Sequence, residues 1–153
     1  MKHFIYEDSK ISVEMPIVCG ITLIHGNSGT GKSYVCDRVR RAQSDPGIRR
    51  GVKSNVDIQK ICVIQNRMEL PALYQQTNKL VIIDRLDLLL LKEKEAYQYD
   101  RDMQLIEFIN NSQNYFILMS RGRVSGIKTL GSAIFQIRTI NNGAKQIIEV
   151  YRA

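Results

Sequence analysis

The sequence has few of the features on which disulfide-linked and zinc-binding proteins depend. It contains only three cysteines, an odd number with no close spacing, and each lies within or beside an apolar segment: Cys19, Cys36 and Cys62. Cysteines in such positions are typical of small core residues, so the pattern argues against a disulfide framework and against a zinc site. It favours a reducing, cytoplasmic environment.

Long hydrophobic segments are also missing. The first ten residues, MKHFIYEDSK, carry several charges and lack the apolar run of a signal peptide. The longest apolar stretch, 80–91, is interrupted by Asp84, Arg85 and Asp87. This stretch is too short and too charged to cross a bilayer, so we expect no membrane span.

No internal repeat, low-complexity tract or linker divides the chain, so we expect residues 1–153 to form a single domain. The apolar fraction of 44% is close to that of globular proteins and argues against global disorder. Lys and Arg total 22 against 15 Asp and Glu, a net charge of +7. This charge attracts phosphates, nucleic acid or acidic lipid without selecting one of them.

Four short, almost unbroken apolar runs predict strands that are covered on both faces, as in a parallel sheet. They are ITLI (21–24), KICVI (60–64), LVII (80–83) and YFILM (115–119). The segments between them have room for helices, which we expect after residue 31, at 69–77, at 102–112 and in part of 86–99. The turn residues of 44–55 predict a loop. The expected fold class is therefore α/β with a mainly parallel central sheet.

The C-terminal segment predicts a β-hairpin. Asn142-Gly143 is a pair favoured in two-residue type I′ turns. A turn there would place Ile137 opposite Ile148 and Phe135 opposite Val150 on one face. The N-terminal segment FIYEDSKISVEM predicts a second hairpin.

The segment GNSGTGKS, residues 26–33, matches the phosphate-loop pattern G-x-x-x-x-G-K-[ST] in full. It follows a predicted strand and opens a predicted helix, which is the context that the pattern requires. Successive main-chain N–H groups and the helix N-terminus would bind phosphate, Lys32 would reach the β- and γ-phosphates, and Ser33 would hold Mg²⁺. The expected nucleotide-binding residues are Gly26, Asn27, Ser28, Gly29, Thr30, Gly31, Lys32, Ser33 and Tyr34.

With this loop and with LVIID at 80–84, the chain resembles the P-loop NTPase superfamily. The resemblance implies a three-layer P-loop fold and places Asp84 at the Walker B position, where together with Ser33 it would hold Mg²⁺. The D-x-x-G and N-K-x-D patterns of GTPases are missing, which favours ATP as the nucleotide. Ser120 and Arg121 close the fourth run and are similar to the sensor position of AAA-like ATPases of the additional-strand class.

The position after Asp84, where many ATPases carry a water-activating glutamate, holds Arg85. Hydrolysis needs a group that orients water in line with the γ-phosphate. Three alternatives remain open: Asp87, three residues beyond Asp84; Glu69, shortly after the second apolar run; and the amides of Gln65 and Asn66, which could position water without acting as bases.

Positive charge is the other requirement for catalysis. Beside Lys32, the candidates are Arg121 and Arg123, acting within the chain or across a contact between copies in a homo-oligomer. Arg85 could itself face the phosphates, which would favour binding over turnover.

The sequence leaves three functions open. The first is slow or partner-stimulated ATP hydrolysis, and the second is phosphoryl transfer by a small-molecule or nucleotide kinase, with SRGRVSGIK (120–128) as part of a lid. The third is a nucleotide-gated binding module without hydrolysis. The basic segment 48–54, with Arg38, Arg40 and Arg41, could contact nucleic acid, although it lacks the aromatic residues on which bases stack. A protein partner is also open.

Overall fold

A computed structural model describes residues 2–17, 20–26, 32–53, 56–90, 96–121, 126–128 and 133–152. The strands are β1 (Lys2–Glu7), β2 (Ile11–Ile17), β3 (Ile21–His25), β4 (Ile61–Ile64), β5 (Leu80–Ile83), β6 (Tyr115–Ser120), β7 (Ile134–Asn142) and β8 (Lys145–Arg152). The α-helices are α1 (Lys32–Ala42), α2 (Pro46–Arg49), α3 (Leu70–Leu73), α4 (Leu86–Leu89) and α5 (Ala96–Asn111). The expected mixed α/β class is confirmed.

The eight strands form one sheet in the order β1-β2-β8-β7-β3-β6-β5-β4. The β1–β2 and β7–β8 pairs are antiparallel hairpins, and the other neighbouring pairs are parallel. The expected mainly parallel sheet and both expected hairpins are therefore confirmed. One strand, β6, lies between β3 and β5.

Hydrophobic clusters lie on both faces of the parallel strands. One face packs against α1 through Ile24, Val63, Ile82, Ile117 and Met119 of the strands and Val35, Cys36 and Val39 of the helix. The opposite face packs against α3, α4 and α5 through Leu23, Val81, Ile83, Phe116 and Leu118 of the strands and Leu70, Leu86 and Leu105 of the helices. Burial on two faces explains why these strands are apolar without alternation.

The predicted register of the C-terminal hairpin is wrong by two residues. Ile137 pairs with Val150, and Asn142 pairs with Lys145, so Gly143 and Ala144 form the two-residue loop. Gly143 has a φ of 66° and stands first in this loop, where type II′ turns require glycine. Because the shift is an even number, Ile137 and Val150 still pack in the same core cluster.

The segment 44–55 is not wholly a loop, because it contains the four-residue helix α2. The Asp45 side chain accepts a hydrogen bond from the Gly47 N–H at 2.9 Å and caps this helix, and Pro46 occupies its first turn. Helix α3 ends at Leu73, earlier than the predicted 69–77, and 86–99 contains α4 and the beginning of α5.

Within the described residues, no helix combines the length and the apolar character needed to cross a membrane.

Candidate functional site

Three strand ends meet at the edge of the sheet where the glycine-rich segment begins. His25 at the end of β3 pairs with Ser120 at the end of β6. Ile83 at the end of β5 pairs with Leu118, which lies two residues before Ser120. The Gly26 N–H donates to the Ser120 carbonyl at 3.1 Å. The beginning of the predicted phosphate loop is thus anchored beside the strand that separates β3 from β5.

Helix α1 begins at Lys32, directly after this segment, so its N-terminus follows the carboxyl end of β3. Ser33, in the first turn, is exposed. The Tyr34 hydroxyl donates to Asp8 Oδ2 at 2.8 Å, so any contact from Tyr34 to a phosphate would have to use its main-chain N–H. The predicted binding residues Asn27, Ser28, Gly29, Thr30 and Gly31 lie outside the described residues.

Asp84 follows β5 and is only 5% exposed. Its main-chain N–H donates to the Ile64 carbonyl at 2.9 Å, which fixes the strand end, but its buried Oδ1 has no hydrogen-bond partner among the described residues. A buried carboxylate oxygen without a partner is costly and requires an explanation. A cation at this edge would supply the missing interaction.

The chemistry of Asp84 fits Mg²⁺, which prefers carboxylate, hydroxyl, phosphate and water oxygens. The described residues contain no group of three or more His, Cys, Asp or Glu side chains arranged to hold a metal ion. A magnesium ion at Asp84 would therefore take most of its ligands from nucleotide phosphates and water, with the Ser33 hydroxyl as a further protein ligand.

Arg85 adopts a left-handed backbone conformation, with φ 61° and ψ 61°, that is uncommon for a residue with a side chain. Its guanidinium donates two hydrogen bonds to Asp87, from Nε to Oδ1 at 3.2 Å and from Nη2 to Oδ2 at 2.9 Å. Asp87 Oδ1 also accepts the Arg121 N–H at 3.3 Å. The Arg85 hydrogen bonds lower the pKa of Asp87, and the same contact raises the pKa of Arg85.

Glu69 is held at the end of β4. Its Oε1 accepts the Gln65 N–H at 3.1 Å, and its other oxygen forms an ion pair with Arg40 of α1. Arg40 also donates to Gln65 Oε1 at 2.9 Å and to the Val63 carbonyl at 3.1 Å. The carboxylate of Glu69 and the amide of Gln65 are thus both occupied in linking β4 to α1.

Ser120 is fully buried, whereas Arg121 is exposed and its main-chain N–H is bound by Asp87. Asn66 is exposed and makes no side-chain capping bond to the helical turn that follows it. Arg123 lies outside the described residues, as do its neighbours 122, 124 and 125 in the segment suggested as a kinase lid.

Most basic side chains around α1 and α2 contact groups of the same chain. The contacts are Arg38 to Asp8 at 3.8 Å, Arg40 to Glu69, Arg41 to Asp37 at 3.0 Å, Arg49 to the Ala42 carbonyl at 3.0 Å and Lys53 to Glu7 at 2.8 Å. Charges compensated in this way attract nucleic-acid phosphates less strongly. The arrangement gives no support to the predicted nucleic-acid contact.

A polar network that sequence reasoning missed connects the N-terminal hairpin to α1. Asp8 accepts hydrogen bonds from the Tyr6 and Tyr34 hydroxyls, both at 2.8 Å, and from the main-chain N–H groups of Lys10 and Ile11. Arg38 donates to the Tyr6 hydroxyl at 3.0 Å. An aspartate before Ser9-Lys10 is a recognisable turn signal, but nothing in the sequence indicates that Tyr34 is its partner.

No protein-family model matches this chain, and no curated protein matches it at a significant level.

Proposed function

We propose that this chain is a P-loop NTPase domain that binds ATP together with Mg²⁺ and hydrolyses it slowly, or only when a partner stimulates it. The observation that carries the proposal is the buried Asp84, whose Oδ1 has no partner among the described residues. This carboxylate lies at the sheet edge from which GNSGTGKS runs from β3 to α1. A magnesium ion bound to nucleotide phosphates would satisfy the unpartnered oxygen.

The strand order supports an AAA-like ATPase of the additional-strand class. In such a protein, a further strand separates the phosphate-loop strand from the magnesium strand and ends in a polar group near the γ-phosphate. Here β6 separates β3 from β5 and ends at the buried Ser120. The fold class, the phosphate-loop pattern and the position of Asp84 therefore favour the same proposal.

Slow turnover is supported by the contacts that already occupy the two candidate carboxylates. Asp87 is held by Arg85 and by the Arg121 N–H, and Glu69 is held by Arg40 and by the Gln65 N–H. The ion pair with Arg85 lowers the pKa of Asp87 and makes it a weaker base, and both oxygens of Glu69 are occupied by contacts within the chain. The same observation supports a second candidate function, a nucleotide-gated binding module without hydrolysis.

The test is calorimetric titration of the wild type and of Lys32→Ala with ATP and with GTP in the presence of Mg²⁺, followed by phosphate release from the same samples. We expect ATP to bind to the wild type and Lys32→Ala to weaken it by on the order of tenfold or more, because a hydrogen bond to a charged group contributes about 1.5–3 kcal/mol. Lys60→Ala is the charge-matched control, since this exposed lysine directly precedes β4 and so lies at the amino end of a strand, whereas the phosphate loop follows the carboxyl end of β3.

Phosphate release above background in the wild type would support the ATPase, and binding without release would support the binding module. Equal ATP affinities of the wild type and Lys32→Ala would contradict the phosphate-loop assignment.

A further inference from the structure

The two candidate carboxylates lie on different sides of Asp84. Asp87 accepts the N–H of Arg121, which directly follows β6, whereas Glu69 is bound to Gln65, which directly follows β4. In the sheet, β6 lies between β5 and β3, whereas β4 lies on the other side of β5 and forms an edge of the sheet. Asp87 is therefore on the phosphate-loop side of β5. Of the two, Asp87 is better placed to meet a water molecule in line with a γ-phosphate.

Arg85 binds this carboxylate directly. Its guanidinium forms a two-point contact with Asp87, and both side chains are sheltered, with 22% of the Arg85 and 19% of the Asp87 side chain exposed. Arg85 occupies a left-handed conformation, which usually costs free energy and persists only where other contacts compensate. The charged side chain hydrogen-bonded to Asp87 is that of Arg85, the Arg121 contact is made by a main-chain N–H, and Asp84 acts electrostatically on Arg85 from the end of β5.

We propose that Asp87 is the water-activating carboxylate of this site and that Arg85 is a positioning residue that restrains it in an ion pair and so keeps turnover low. The inference rests on the proposed function, because it needs ATP at the phosphate loop. It also gives a reason for an arginine at the position where many ATPases carry glutamate, because Arg85, which restrains the carboxylate, and Asp87, which carries it, are two residues apart in one turn.

The reaction is the transfer of the γ-phosphoryl group to water. The water oxygen forms a bond to the γ-phosphorus, the bond from that phosphorus to the β–γ bridging oxygen breaks, and ADP leaves with the electron pair. The water proton passes to Asp87 and from there to solvent. While Asp87 accepts the hydrogen bonds of Arg85, its oxygens are directed at the guanidinium rather than at water.

The experiment compares wild type, Arg85→Gln, Asp87→Asn and the double variant by ATP affinity and by phosphate release at saturating ATP and Mg²⁺. We expect Arg85→Gln to release phosphate on the order of tenfold faster, a part of the roughly 10²–10⁴-fold that a general base contributes, with a Kd for ATP within about threefold of wild type. Adding Asp87→Asn to Arg85→Gln should abolish the gain. Arg85→Lys, which keeps the positive charge, should restore most of the restraint.

Arg85→Gly is a second test of the same restraint, because glycine adopts positive φ without a steric penalty and so removes the guanidinium without adding backbone strain. It should also raise phosphate release. If Arg85→Gln and Arg85→Gly bind ATP like the wild type and hydrolyse it no faster, the restraint is refuted while the proposed function stands. If the wild type does not bind ATP, both are refuted.

Discussion

Replacing Asp84 by Asn should stabilise the nucleotide-free protein while weakening the binding of ATP with Mg²⁺. Asp84 is 5% exposed and its Oδ1 has no hydrogen-bond partner among the described residues. A buried group left unsatisfied costs about 1–3 kcal/mol, and a buried charge costs more than the neutral amide that replaces it. We therefore expect Asp84→Asn to raise the free energy of unfolding by about 1 kcal/mol or more.

A gain of this size corresponds to an increase in Tm of about 2–4 °C for each kcal/mol in a chain of this length. The assay is thermal unfolding without nucleotide and with a chelator, repeated with saturating ATP and Mg²⁺. Ligand at 100 times its Kd should stabilise the wild type by about 2.7 kcal/mol. The variant should lose most of that ligand-dependent increase, because the metal would lose a charged ligand.

Asp87→Asn is the matched control, since it makes the same chemical change three residues later with the opposite expected sign. Asp87 accepts two hydrogen bonds from Arg85, and less than a quarter of each of the two side chains is exposed. Loss of its charge should destabilise the protein by about 1–2 kcal/mol. An Asp84→Asn variant that melts at or below the wild-type temperature would refute the argument from the unpartnered oxygen.

Two further predictions concern stability as a function of pH. Burial and the contact with Asp8 raise the pKa of Tyr6 to about 12, so the contribution of Tyr6 to stability should be present below pH 10 and lost as pH rises towards 12. Tyr6→Phe should destabilise the protein by about 1.5–3 kcal/mol at neutral pH and remove that alkaline loss of stability. Urea unfolding of both proteins at pH 7 to 12 measures the two effects. Hydrogen bonds from Lys53 and Lys145 lower the pKa of Glu7 from 4.5 to about 2, so its contribution should be present above pH 4.5 and disappear as pH falls to 2. The stability difference between wild type and Glu7→Gln should shrink over that range, and a difference that is constant between pH 6 and 2 would contradict the assignment.

The existence and type of the central strands could be predicted because their apolar runs have no alternation. The run 80–83 is buried throughout in the structure, and so is most of the run at 115–119. The hairpin at Asn142-Gly143 could also be predicted, but its register could not. Both registers keep Ile137 and Val150 on the same face, so whether Asn142 or Gly143 begins the turn depends on how β7 pairs with β3 and how β8 pairs with β2.

The features of the candidate site could also be predicted from the sequence only in part. The sequence by itself determined the phosphate-loop pattern at 26–33, the aspartate at the end of a buried strand and the arginine that follows it, because each of these depends on residues that are close together in the chain.

Only the tertiary structure decided that β6 lies between β3 and β5, that the N–H of Arg121 binds Asp87, and that Glu69 is bound by Arg40. Strand order and long-range ion pairs depend on which surfaces pack together once the whole sheet has formed. A pattern in neighbouring residues carries no information about these distant contacts.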